Sequence, residues 1–148
     1  PAISGAALTN ISAGKVLQVV QSTSTTYTHP GTTYDDISSS SIAITPSATS
    51  SKILYIYNTG GFVDERVQDC RLKLLRGSTV IREHSRWGYM YTETHVPFPI
   101  HFMFLDSPNT TSAVTYKLQA QEQAAGSWEI NDSSVTAGAV VIAMEIEG

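Results

Sequence analysis

The stretch from Phe98 to Gln121 constrains the fold more than any other. Ile100, Phe102 and Phe104 alternate with His101 and Met103. A run of turn formers follows, Leu105-Asp106-Ser107-Pro108-Asn109-Thr110-Thr111-Ser112. Then Val114, Tyr116, Leu118 and Ala120 alternate with Thr115, Lys117, Gln119 and Gln121. A period of two is what a strand shows when one face is buried and the other is wet. Pro108 fixes φ and lacks a donor, and Asp106 and Asn109 can bond their own backbone, so the interruption reads as a turn. Two paired strands are expected here, with an apolar face that a second sheet must cover.

The rest of the chain supplies strands for that purpose. Lys15 to Gln21 carries Val16, Leu17, Val19 and Val20. Gln21 to Ser41 is polar, with a weak strand expected near Thr25 to Thr28. Ser41 to Thr45 turns Ile42 and Ile44 inward and stops at Pro46. Lys52 to Asn58 is apolar on both faces (Ile53, Leu54, Tyr55, Ile56, Tyr57), which marks a strand central in its sheet or buried at an interface. Gly60-Gly61 is expected to break that run. Asp69 to Arg76 turns Leu72 and Leu74 inward, Arg76-Gly77-Ser78 is a hairpin connection, and Thr79 to Glu83 returns. Trp87 to Thr92 follows, then Pro97 and Pro99 at the entry to the long alternating stretch. Ser127 to Ile130 surrounds Trp128. Ala139 to Ile146 places Val140, Ile142, Met144 and Ile146 on one face. No stretch of eleven or more residues holds a helical period. The fold class is therefore all-β, a single antiparallel β-sandwich over residues 15–148. Residues 1–14 are small and aperiodic, with Ile3, Leu8 and Ile11 as isolated apolar points, and read as a short extended N-terminal arm.

Composition narrows the function. The chain has 148 residues, 41% hydrophobic and only 15% charged, so its surface is built largely from hydroxyls and amides. These desolvate more cheaply than ions and suit protein contact, although β-propensity alone favours Thr in strands. Net charge is −4 and the longest basic cluster, Arg71, Lys73 and Arg76, is interleaved with leucines, which disfavours nucleic acid as a partner. A lone cysteine, Cys70, forms no internal disulfide and reads as a small buried group. No apolar run approaches the ~20 residues of a membrane span and no signal-like segment opens the chain. A first residue of proline fits a removed initiator methionine. The protein is expected to be made and kept in the cytoplasm until it is assembled into something.

No chemistry is visible. His29, His84, His95 and His101 lack the close spacing of a metal site. Glu93 and His95 would share a strand face, which is more often solvated surface than a ligand pair. Asp35-Asp36 and Asp64-Glu65 lack the alternation of a calcium loop, and neither a nucleophile elbow nor a phosphate-binding glycine loop occurs. The protein reads as a non-enzyme with no cofactor and no metal. Trp87, Tyr89 and Tyr91 are the strongest candidate contacts. Such a stripe either packs into the core or stays outside, where it stacks on sugar rings or anchors a protein partner.

One ordered set of segments resembles a known group. Gly14-Lys15-Val16-Leu17-Gln18-Val19-Val20-Gln21, Ile42-Ala43-Ile44-Thr45-Pro46-Ser47, Ser51-Lys52-Ile53-Leu54, the Leu105 to Ser112 turn with Val114 to Ala120, and Ala143-Met144-Glu145-Ile146 are similar to small bacteriophage virion proteins and phage tail-fibre modules, notably those of cyanophages and other aquatic phages. The likeness spans nearly the whole domain; Val63 to Pro97 departs from it. The resemblance implies a jelly-roll β-sandwich, commonly a homotrimer, with a structural or adhesive role on the particle. It leads to the expectation of a capsid decoration (cement) protein on the capsid exterior, partnered by itself and the major capsid protein, with Ile3, Leu8 and Ile11 in intersubunit or capsid contact. The alternative is a tail-fibre or receptor-binding module that contacts other tail proteins and host surface glycan through Trp87, Tyr89 and Tyr91.

Overall fold

The computed structural model describes residues 14–64, 70–88, 96–122, 127–131 and 138–148. Ten strands occur among them: β1 (Val16–Ser24), β2 (Asp35–Asp36), β3 (Ile42–Ile44), β4 (Lys52–Asp64), β5 (Cys70–Arg76), β6 (Thr79–Gly88), β7 (Val96–Asp106), β8 (Val114–Glu122), β9 (Ser127–Ile130) and β10 (Ala139–Ile146). The helical content of the described residues is one 3-10 turn, Ser38–Ser40.

Two antiparallel sheets pack face to face. The first has the order β1-β10-β4-β7, with β9 also on β4. β10 pairs with residues 52–58 of β4 and β9 with residues 61–64, on the edge opposite β7. The second has the order β2-β8-β5-β6, with β3 also on β8. β2 and β3 likewise share one edge of β8. Taking β9 with β10 and β2 with β3 leaves eight strand positions, and the chain changes sheet at nearly every connection. That is a jelly roll, as the sequence led us to expect.

The long alternating stretch is two strands but not a pair. β7 pairs with β4 in the first sheet and β8 with β5 in the second. The connector between them crosses the sandwich, with Asn109 at φ 53°. Asp106 at the end of β7 ties the two layers: its Oδ2 accepts from Tyr116 Oη at 2.7 Å and from Arg76 Nη1 at 2.8 Å. A period of two reports which side chains are buried and is silent on the hydrogen-bonding partner.

Gly60-Gly61 does not end β4, which runs on to Asp64. A Cβ at Gly61 would lie 2.5 Å from the Glu129 carbonyl oxygen, so the glycine admits β9 at close range. β6 extends to Gly88, beyond the expected Glu83. The weak strand near Thr28 is a single bridge to Ile130.

The core is built from the inward residues of both sheets. Ile53, Tyr55 and Tyr57 of β4 meet Leu72 and Leu74 of β5 and Tyr116, Leu118 and Ala120 of β8. Cys70 is buried with them. Tyr55 lies edge-on to Phe102, with centroids 6.4 Å apart. The two tyrosine hydroxyls end on the 3-10 turn: Tyr55 Oη donates to the Ser40 carbonyl at 2.8 Å, and Tyr57 Oη pairs with Ser39 Oγ at 2.7 Å. Ser40 Oγ accepts from the Leu118 amide at 2.8 Å and donates to the Ile37 carbonyl. The side chain thus fills the gap between β2 and β3 and satisfies a β8 donor that lacks a strand partner there.

Candidate functional site

The outer face of the first sheet carries two largely apolar rows; Gln21 closes one of them, and Thr23, Asn58 and His101 flank Val140 in the row beyond. On β10 the inward residues are Ala139, Val141, Ala143 and the carboxylate Glu145. Val140, Ile142, Met144 and Ile146, expected on one face, therefore point outward. Strand register lines them up with outward residues of the neighbouring strands. Val19, Met144, Leu54 and Leu105 form one row across all four strands, and Ile142, Ile56 and Met103 form the next. Met103 is 69% exposed, Val19 54% and Leu105 48%. An extra residue in β1 between Val16 and Gln18 leaves both Val16 and Leu17 exposed at the foot of the face.

Charge is confined to the ends of this face, Lys52 at one and Glu129 at the other. Four strands about 4.8 Å apart, with six residues at about 3.3 Å spacing, give a footprint of roughly 400 Å². That is within the range of the largest patch on a typical monomer, where patches are often functional.

At the Glu129 end the face sinks into a pocket of about 450 Å³. Asn58, Gly60, Phe62, Pro97, Pro99 and Val140 are among the residues that line it. A Cβ at Gly60 would meet nothing within 4 Å, so the dent exists because this position has no side chain. Its volume suits a small apolar group. Behind it Asn131 is buried, accepting from Thr59 Oγ1 at 3.2 Å and donating to the Ser24 and Thr26 carbonyls at 2.9 Å. These bonds hold β1, β4 and β9 in place around the pocket.

Glu145 is 1% exposed and organises the foot of the sheet. Its Oε1 accepts from the Ser47 amide and hydroxyl, both at 2.6 Å, and its Oε2 from Gln18 Nε2 at 2.7 Å. Burial pushes its pKa up, but the hydrogen bonds from Ser47 and Gln18 reverse this and hold it at about 2. Gln18 also donates to the Thr45 carbonyl at 2.7 Å. The carboxylate therefore clamps the β3–β4 connection against β1 and β10, a structural use of the charge.

No group of three or more His, Cys, Asp or Glu side chains that could hold a metal occurs among the described residues. His84 rests edge-on against Phe102 at 5.5 Å, and its burial, with the Arg82 charge, holds its pKa below the usual value. Arg71 and Lys73 lie half-buried on the outer side of the second sheet, where Lys73 Nζ sits 3.5 Å from the centroid of the Tyr34 ring.

Ile3, Leu8, Ile11, Tyr89, Tyr91, Glu93 and His95 lie outside the described residues. Trp87 belongs to β6 through its backbone, and its side chain lies outside them too. The apolar outer face was only half legible in the sequence: a strand apolar on both sides announced it, and only the register shows how four strands combine their outward residues. No family model matches the chain, and no curated protein matches it.

Proposed function

We propose that this chain is a structural protein of a bacteriophage virion, a decoration protein that binds the outside of the capsid as a trimer and stabilises the shell. The observation that carries the reading is the uncharged outer face of the first sheet. A jelly roll whose core is already complete has no internal use for Val19, Leu54, Ile56, Met103, Leu105 and Met144 in register on the outside. Burying them against a partner gains about 25 cal/mol per Å² of apolar surface, with no ion to desolvate except at the rim. A protein that binds only the assembled shell stabilises it by mass action, and three copies in one trimer reinforce weak contacts through effective concentration. The resemblance of the strand segments to phage virion proteins supplies the identity of the partner, the major capsid protein.

Cryo-electron microscopy of intact virions tests this. Density at three-fold positions between capsomers is expected, with the first sheet facing the shell. Density confined to the tail would replace this reading with the tail-fibre one. That second reading has an observation of its own: residues 89–95, which carry Tyr89 and Tyr91, lead directly into β7, where Pro97, Phe98 and Pro99 line the pocket. Apolar and aromatic walls of that kind suit the faces of sugar rings. Alanine at Trp87, Tyr89 and Tyr91 would then abolish adsorption to the host while leaving the fold intact.

A further inference from the structure

The two ends of the outer face differ in relief as well as in charge. At the foot, aliphatic side chains protrude: Leu105 is exposed at one edge, and Val16 and Leu17 at the other. Leu54 joins Leu105 in the same row. At the far end the surface sinks over Gly60, between Asn58 and Phe62 of its own strand and beside Pro97 and Pro99 of β7. Lys52 marks the foot and Glu129 the pocket end. A rise and a dent, and a cation and an anion, thus lie at opposite ends of one surface.

Such a surface complements itself, which is what a two-fold pair of identical chains requires. We infer that the outer face of the first sheet binds a second copy of this chain, face to face and with strand direction reversed. The two-fold axis lies across the strands at the level of Tyr57. It sets Leu54 of each copy over Gly60 of the other, and Leu105 over Pro99, which is in register with Gly60. Lys52 of each copy then lies over Phe62 of the other, next to Glu129. The pocket, about 450 Å³, has ample room for a leucine side chain. An axis along the strands would instead place Lys52 on Lys52 and dent on dent, so charge and relief select the same arrangement.

The area is sufficient. The contact takes in the pocket end as well as the two apolar rows, so it runs from Lys52 to Val63 along β4. At about 4.8 Å between strands and 3.3 Å per residue, four strands at the foot and three at the pocket end give a footprint of roughly 700 Å². Two copies together bury about 1,400 Å², within the ~1,200–2,000 Å² of stable interfaces. Asn58 and His101 fall close to the axis, opposite Ile56 and Met103. A mixed row of that kind is normal, since an interface taken whole is about as apolar as the remaining surface. The pair is closed, so no third copy can join through this face. It concerns the free protein and does not depend on the phage reading; a shell that takes the same face competes with it.

Sedimentation equilibrium of the purified protein over a hundredfold range of concentration tests the pairing. The mass is expected to double as concentration rises, from the 16.0 kDa chain to two chains; if three copies also associate through another surface, the trimer doubles in the same way. Lys52→Glu and Glu129→Lys each bring like charges together twice per pair and should raise the dissociation constant about tenfold. The double variant re-forms both contacts and should return it close to the native value. Gly60→Val adds a Cβ that meets nothing within 4 Å in its own chain. It raises the floor of the dent and should weaken the pair by a similar factor, while the urea midpoint shows the sandwich intact. A mass that does not double at any concentration would overturn the inference. Doubling that no variant changes would place the contact on another surface and overturn it as well. Weakening by each charge variant without recovery in the double would refute the reversed arrangement. Capsid binding is a separate measurement, so failure of the pairing and failure of the decoration role are told apart.

Discussion

Replacing Glu145 by glutamine removes a charge at nearly constant shape and tests how the foot of the first sheet is held. In the native protein the carboxylate accepts three hydrogen bonds of 2.6–2.7 Å and is 1% exposed. Hydrogen bonds to a charged group contribute about 1.5–3 kcal/mol each, roughly twice a neutral one. Glutamine keeps one oxygen for the Ser47 amide and hydroxyl, at about half the strength. Its amide nitrogen meets Gln18 Nε2, another donor, so the third bond is lost. The sum is a destabilisation of about 3 kcal/mol, a large share of the ~5–15 kcal/mol typical of a domain, and a fall in Tm of about 6–12 °C. The assay is urea denaturation of both proteins from pH 7 down to pH 2. The Glu145 carboxyl has its folded pKa depressed from 4.5 to about 2. Its contribution is thus fully present above pH 4.5 and is lost as pH falls through about 2. The gap between the two proteins should be widest at neutral pH and narrow across that window. A gap under about 0.5 kcal/mol at pH 7, within the range of ordinary surface substitutions, or one that does not change between pH 7 and pH 2, would refute the clamp.

Neighbouring glycines in β4 should behave oppositely: Gly60→Val has open space and gains strand propensity, so stability holds or rises, whereas Gly61→Ala meets the Glu129 carbonyl and should cost about 1–3 kcal/mol by thermal melting. Tyr57→Phe leaves the buried Ser39 hydroxyl without its partner and should cost about 1–2 kcal/mol in urea titrations. Burial raises the Tyr57 phenol to about 12, so its contribution is full below pH 10 and is lost as pH rises through 12; ultraviolet titration should show this phenol ionising late. Met103→Lys and Leu105→Lys place charge on the outer face where both side chains are exposed, and should change Tm by less than about 2 °C; under the proposed decoration role they should also lower binding to capsids, measured by co-sedimentation.

Local patterns in the sequence were reliable guides to strands and poor guides to their partners. β3, β9 and β10 fall on the residues that alternation and turn chemistry select. Alternation follows burial, and burial needs no knowledge of which strand lies alongside. The pairing of β7 with β4 and of β8 with β5 is a long-range matter, decided by the connector that crosses the sandwich and by the Asp106–Tyr116 bond that holds the crossing. Ser39 and Ser40 sit in a polar stretch that reads as a loop, and only the approach of Tyr55 and Tyr57 from the other sheet gives those hydroxyls their role. Gly60-Gly61 reads as a break because glycine is a breaker in isolation; the close strand on Gly61 is the context that overrides it. The outer face was foreshadowed by the two-sided strand Ile53 to Tyr57 and by the apolar set of β10. Residues 1–13 and the side chains of Trp87, Tyr89 and Tyr91 lie outside the described residues.

Among the described residues the two sheets end in four strand edges, and each carries its own interruption. β1 has an extra residue between Val16 and Gln18, and β6 has extra residues opposite Cys70 to Leu72 and Leu74 to Leu75. β7 carries Pro97 and Pro99 along its outer edge, and the edge shared by β2 and β3 is broken by the Ser38–Ser40 turn. A foreign strand that tried to extend either sheet would meet missing donors or a shifted ladder at every approach. Growth into fibrils by strand addition is thereby blocked at high local concentration. At high concentration the chains can then crowd together as separate folded units without polymerising.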